Sequence, residues 1–142
     1  MPAMSDEQYR EFLTTGTRTA KLATTRSDGR PHVVPVWFVL DGDDLVTVTA
    51  KDSVKGRALL RDGRVAVCVD DDRRPYAFVM IEGATATSEN PEEVLLWSTR
   101  NAARYMGEDN AERYGRLNAG AGMMLVRITP TKILSEDDVT EE

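Results

Sequence analysis

From residue 19 onward the chain is written as short β-rich runs cut by turn signals, and that spacing leaves few folds open to it. Residues 19–25 alternate Thr, Leu and Ala, and Arg26-Ser27-Asp28-Gly29 follows with an Asp-Gly step that favours a hairpin. Residues 32–40, His-Val-Val-Pro-Val-Trp-Phe-Val-Leu, read as one continuously apolar strand buried on much of both faces. Pro35 within it donates no ladder hydrogen bond, so the strand should be an edge there, bulge, or meet a ligand. Asp41-Gly42-Asp43-Asp44 turns the chain into a third strand at 45–50, and runs at 65–69, 76–87 and 123–128 supply three more. Gly83 marks a bulge in the fifth.

Helical signals are few. Ser5 and Gln8 form a capping-box pattern ahead of Tyr9, Phe12 and Leu13, and Gly16 closes that helix. Ser53 caps a short helix to about residue 60, and Asn90-Pro91-Glu92-Glu93 opens a longer one through Trp97 to about residue 105. A further short helix falls at 111–118, and the acidic tail after Leu134 is expected to fray. A doubly wound sheet needs strands and helices in alternation throughout, which this chain lacks. The pattern fits a closed or nearly closed antiparallel barrel of six strands, mainly β with helices, in one domain over residues 1–142.

Composition narrows the chemistry. Against 18 basic side chains stand 24 acidic ones, a net charge of -6, which argues against a partner made of nucleic acid. One cysteine excludes an internal disulfide and a Cys-based zinc site, and one histidine excludes a histidine metal centre. Asp70-Asp71-Asp72 and the 41–44 run lack EF-hand spacing and read as solvated turns, so no metal site is expected. Cys68, in an apolar strand, reads as a buried, inert thiol. No apolar run reaches membrane-spanning length and the first residues show no signal-peptide pattern, so a cytoplasmic protein is expected. Motifs for a dinucleotide loop, a Walker lysine, a serine elbow or a zinc protease are missing.

Two segments carry chemistry. In Thr49-Ala50-Lys51-Asp52-Ser53-Val54-Lys55-Gly56-Arg57 a strand ends and a Ser-capped helix begins, with three cations around its first turn. Open amides and the positive end of the helix dipole favour an anion there, and the cations and hydroxyl turn that preference toward phosphate. An ordinary charged surface helix fits the same spacing. In the second segment, 28–38, Gly and Pro let backbone approach a planar group closely; a core strand after a hairpin fits equally. Together the two suggest a flat ring near residues 32–35 and a phosphate tail at 53–57.

These residues also carry a resemblance. Leu22-Ala23-Thr24-Thr25, Asp28-Gly29-Arg30-Pro31 and Val36-Trp37-Phe38 resemble the split β-barrel flavoproteins of the pyridoxamine 5′-phosphate oxidase-like superfamily. Ser53-Val54-Lys55-Gly56-Arg57-Ala58-Leu59-Leu60-Arg61-Asp62, with 65–69 and 79–83, resembles its actinobacterial branch dependent on the deazaflavin F420. The resemblance covers residues 12–128 and implies a six-stranded split barrel, a homodimer, and cofactor sites at the subunit interface. It implies that Lys55 and Arg57, with Ser53, Gly56 and the Lys51 region, hold the cofactor phosphate. It places His32, Val33, Val34 and Pro35 along the ring through backbone contacts, and Thr49 and Ala50 beside the ribityl chain. Trp37 lines the pocket or packs beneath it, His32 is a possible proton donor, and partner residues around Met80 or Trp97 close the site. The implied activity is hydride transfer from reduced F420 to a conjugated small-molecule acceptor. The alternatives are an FMN oxidoreductase of the same fold and an F420-binding carrier without turnover. Residues 127–134 do not match the Arg- and Trp-containing substrate segment of the larger oxidases, which sets the chain apart from pyridoxine phosphate oxidation.

Overall fold

The hairpin at Asp28-Gly29 forms where the sequence places it. In the computed structural model, which describes residues 3–140, β1 (Ala20–Thr25) pairs antiparallel with β2 (Pro31–Val36) in an unbroken register from Ala20 opposite Val36 to Thr25 opposite Pro31. Gly29 takes a φ of 87° in the turn, a conformation open to glycine at no steric cost.

The long apolar strand expected at 32–40 does not exist as one element. It breaks at Trp37-Phe38, and β3 (Val39–Asp41) leaves to pair with β4 (Asp44–Ala50) at the far side of the sheet. Seven strands rather than six therefore stand in the order β2-β1-β5-β6-β7-β4-β3, where β5 is Arg64–Asp71, β6 is Ala77–Ser88 and β7 is Met123–Glu136. Both halves of the broken segment lie at edges. Alternate residues of β2, Pro31, Val33 and Pro35, are exposed, so β2 is not buried on both faces. Pro35 sits on an edge strand, where its missing N–H costs no ladder bond.

What holds the break is α3 (Pro91–Met106), capped by Asn90, whose side chain accepts from the amides of Glu92 and Glu93. The Phe38 backbone has no strand to pair with. Its N–H donates to the Tyr105 hydroxyl at 3.2 Å and its carbonyl accepts from Arg104 Nη1 at 2.7 Å. Arg104 also donates to Leu13 O at 2.7 Å and Gly16 O at 3.1 Å, at the end of α1 (Asp6–Thr14). The Tyr105 ring stacks on Trp37, centroids 5.0 Å apart and planes within 3°, and its hydroxyl donates to Arg18 O at 2.8 Å. Burial pushes the Tyr105 phenol up and the Arg104 guanidinium down from their ordinary values.

The main core fills the barrel with Leu22, Phe38, Leu45, Val67, Ile81, Met124 and their neighbours, closed by Tyr9 and Leu13 of α1 and by Leu59 of α2 (Val54–Arg61). A smaller cluster of Val46, Val94, Trp97 and Leu125 seats α3 on the outside of the sheet. At the bulge, Glu82 faces Lys132 while Gly83 faces Pro130, so the extra residue is Thr131 of β7 and not Gly83. Gly83 is small because a Cβ there would come within 2.9 Å of Ile128.

The tail does not fray at Leu134. β7 continues to Glu136, Ser135 Oγ accepts from the Met4 amide, and the Val139 amide donates to Tyr76 O. The expectations for Met1, Pro2, Glu141 and Glu142 lie outside the described residues. Cys68 is half-buried on the outer face rather than in the core, and burial raises its thiol above the ordinary value. Among the described residues no helix is long and apolar enough to cross a membrane.

Arg104→Ala removes three bonds to backbone carbonyls that have no strand partner. We expect it to lower the unfolding free energy by about 2–4 kcal/mol in a denaturant titration, with Arg104→Lys recovering only part.

Candidate functional site

The corner where β4 gives way to α2 is set by two small residues. Ser53 caps the helix: its Oγ accepts from the Gly56 amide at 3.0 Å and its O–H donates to Ala50 O at 2.6 Å. The hydroxyl is thereby engaged by the protein's own backbone. Gly56 lets the helix lie against the strand end, since a Cβ there would stand 2.2 Å from Ala50 O. The Arg57 amide is taken by Ser53 O, which leaves the amides of Val54 and Lys55 without a partner among the described residues.

Beside this corner lies a cavity of ≈340 Å³. Its walls come from Pro35 and Val36 of β2, Trp37 just after it, Thr47 and Val48 of β4, Lys55 of α2, Ser98 and Asn101 of α3, and Met123 at the start of β7. Asn118, just beyond α4 (Ala111–Leu117), completes it. α4 lies close on α3 because Gly115 has no side chain to strike Thr99, and Ser98 Oγ donates to Gly115 O at 2.7 Å. Lys55 is half-buried, with no ion pair or hydrogen bond to its ammonium among the described residues. Burial pushes its ammonium down from the ordinary lysine value. An unpaired, partly desolvated cation facing a cavity is a group that gains by meeting an anion.

The three cations do not converge. Lys51 is bound to Glu89 at 2.9 Å, which raises it above the ordinary value. Lys55 and Arg57 are two residues apart on one helix, some 200° around its axis, so they cannot face the same way. Arg57 is exposed and does not line the cavity. Thr49 is buried, its Oγ1 without a partner among the described residues, and Ala50 gives its carbonyl to the cap; Thr47 and Val48 reach the cavity instead.

In β2, Pro35 reaches the cavity while Val33 stands 63% exposed. His32 and Val34 share the core-side face with Val36, and His32 Nδ1 is buried without a partner among the described residues. His32 does not line the cavity, so the structure does not bring it to Lys55.

The match to known sequences falls on this same framework. The family profile described as pyridoxamine 5′-phosphate oxidase matches residues 5–135. The chain belongs to this family. Its solved relatives include a conserved hypothetical protein from Mycobacterium tuberculosis, 27% identical over 94% of this chain and 85% of that one, with a TM-score of 0.82. A structure described as an F420 reductase is 26% identical over 87% of this chain and 94% of its own, with a TM-score of 0.70. At 19% identity and a TM-score of 0.74, a heme storage protein from Vibrio cholerae covers 96% of this chain and 98% of its own and shows the shared fold alone. No curated protein sequence matches. The fold of the pyridoxamine 5′-phosphate oxidase family is the split barrel, and the seven strands and the break at Trp37-Phe38 are how this member builds it.

Seven cavity residues escape the sequence reading: Ser98 and Asn101, then Asn118, Val36, Thr47, Val48 and Met123. The first two carried a signal. They fall on the stripe Val94, Trp97, Ser98, Asn101, Ala102 that α3 buries, and a polar residue at an apolar position of a helix asks for a reason. Trp97 is 7% exposed and packs in the cluster beneath α3.

Gly56→Ala drives a methyl into the Ala50 carbonyl and must displace either β4 or α2. We expect a loss of roughly 1–3 kcal/mol in unfolding free energy by thermal or chemical denaturation.

Proposed function

We propose that this chain is an F420-dependent oxidoreductase, transferring a hydride from reduced F420 to a conjugated small-molecule acceptor. Lys55 carries the reading: a half-buried cation without a partner among the described residues, next to two open helix-start amides, on the wall of a cavity that Pro35 and Trp37 also line. Those donors fit a phosphate. The 26% identity to a structure described as an F420 reductase, across most of both chains, favours the deazaflavin over other phosphate-tailed dyes.

In this reading Lys55 and the amides of Val54 and Lys55 grip the phosphate, while Ser53 and Gly56 fix the corner. Arg57 and Lys51 add a longer-range attraction, weaker because one is solvated and the other is paired. Residues 32–35 meet the ring through the open edge of β2, whose alternate backbone groups point away from β1. Thr47 and Val48, which reach the cavity where Thr49 and Ala50 do not, flank the ribityl chain. Trp37, fixed by its stack on Tyr105, offers a rigid wall that excludes water. When bound, F420 supplies a two-electron donor, because carbon stands where a flavin has N5, and solvent supplies the completing proton.

The same reading makes the protein a homodimer with its sites at the interface. Pro35, Lys21, Cys68, Met80 and Leu134 lie in one cross-strand row, each at least partly exposed, and Val33, Ala23 and Ala66 form the next. The apolar part of this face, bordered by Lys21 and by Glu82 and Lys132 at the end of the second row, suits a second copy. Sedimentation equilibrium should give twice the chain mass; a monomer at micromolar concentration counts against the interface.

Titration of F420 and FMN into the wild type and its variants tests the site. Lys55→Ala should weaken binding 10-fold or more and Arg57→Ala only a few-fold. Equal affinity in wild type and Lys55→Ala removes the phosphate site. Because burial lowers Lys55, its proton is lost at a lower pH than an ordinary lysine's, and affinity should fall as pH rises through that range. Lys55→Arg should keep its affinity there. FMN binding with a flavin spectrum favours the FMN alternative. Tight F420 binding, with no acceptor oxidising the reduced form, favours a carrier.

A further inference from the structure

The chain has four lysines, and three of them stand beside a carboxylate. Lys21 lies 2.8 Å from Asp70, Lys51 2.9 Å from Glu89 and Lys132 4.0 Å from Glu82. Lys55 has no such partner among the described residues and sits half-buried in the wall of the ≈340 Å³ cavity. Its Nζ is not one of the side-chain atoms that are both buried and unpartnered, so it keeps surface that a small molecule in the cavity can reach. Pro35, Val36, Trp37, Val48 and Met123 give that cavity an apolar side.

A paired lysine is held as an ammonium, whose nitrogen has no lone pair to give. One drawn partly out of water without a partner releases its proton more readily, and the neutral amine is a nucleophile. Burial pushes Lys55 down from the ordinary lysine value, whereas the bond to Glu89 raises Lys51. We propose that Lys55 is a covalent modification site, whose amine condenses with an aldehyde carried on a flat aromatic body that lies against Trp37. The Nζ lone pair adds to the carbonyl carbon, a C=N bond replaces C=O, and the oxygen leaves as water with both hydrogens of the neutral amine. No electrons change hands, so the step needs neither oxidant nor reductant. The aromatic body follows from Trp37, whose plane is fixed by its stack on Tyr105, and from the apolar side of the cavity. Condensation fills the cavity and takes the amine that would grip a phosphate, so aldehyde and dye exclude one another. That exclusion rests on the reading of the cavity as the dye site; the reactivity of Lys55 does not.

The test incubates the wild type with benzaldehyde and cyanoborohydride, which reduces each imine as it forms, and follows every lysine by peptide mass spectrometry. Lys55 should be labelled about fivefold or more faster than each of the other three. A smaller lead overturns the proposal. With acetaldehyde, which has no ring to lay on Trp37, the lead should shrink; an equal lead overturns the aromatic assignment. Lys55→Arg should lose the fast phase while the other lysines keep their rates, and the wild-type comparison stands without any variant. F420 and FMN, added in separate arms at saturation, should slow Lys55 alone. If a dye binds and Lys55 still reacts at its free rate, the dye-site reading falls and the proposal stands. If Lys55 shows no lead while dye binding still weakens in Lys55→Ala, the proposal falls and the dye-site reading stands.

Discussion

The structure depends on keeping a two-residue strap in place. Trp37-Phe38 carries the chain from one edge of the sheet to the other, and a segment that belongs to no strand must find partners for its backbone elsewhere. Arg104 and Tyr105 provide them, taking the Phe38 carbonyl and amide while the Phe38 side chain is driven into the core at 1% exposure. The same two side chains reach the end of α1 and the Arg18 carbonyl, so α1, the strap and α3 are fixed by one knot. The aromatic wall of the cavity is part of it, through the Trp37–Tyr105 stack.

Local signals in the chain were sufficient for most elements. Turns at Asp28-Gly29, caps at Ser5, Ser53 and Asn90, and alternation in β1 and β5 act over a few residues, and each appears where those residues put it. The division of 32–40 could not be read the same way. An apolar run looks alike whether one strand holds it or two, and the choice lies with Arg104 and Tyr105, more than sixty residues away. The extension of β7 past Leu134 has a similar cause, since its partners are on β6 and at Met4. Cys68 was misplaced because a strand with one apolar outer face does not alternate cleanly.

For the candidate site, the sequence located the corner and overstated its charge. Proximity along the chain gathered Lys51, Lys55 and Arg57, yet helical geometry turns two of them apart and Glu89 claims the third. What remains is one cation, made consequential by partial burial rather than by company. The opposite wall comes from α3 and α4, whose contribution is set by tertiary packing, and Asn101 showed only as a polar residue out of place on an apolar stripe.

The close seating of α4 on α3 through Gly115 has an evolutionary consequence. One wall of the cavity is anchored to the strand end at Ala50, and the other rides on a helical hairpin followed by the small residues 119–122. Substitutions in that hairpin can reshape the cavity without touching the corner that carries Lys55. A lineage built on this scaffold is free to vary one side of its cavity while the other stays as it is.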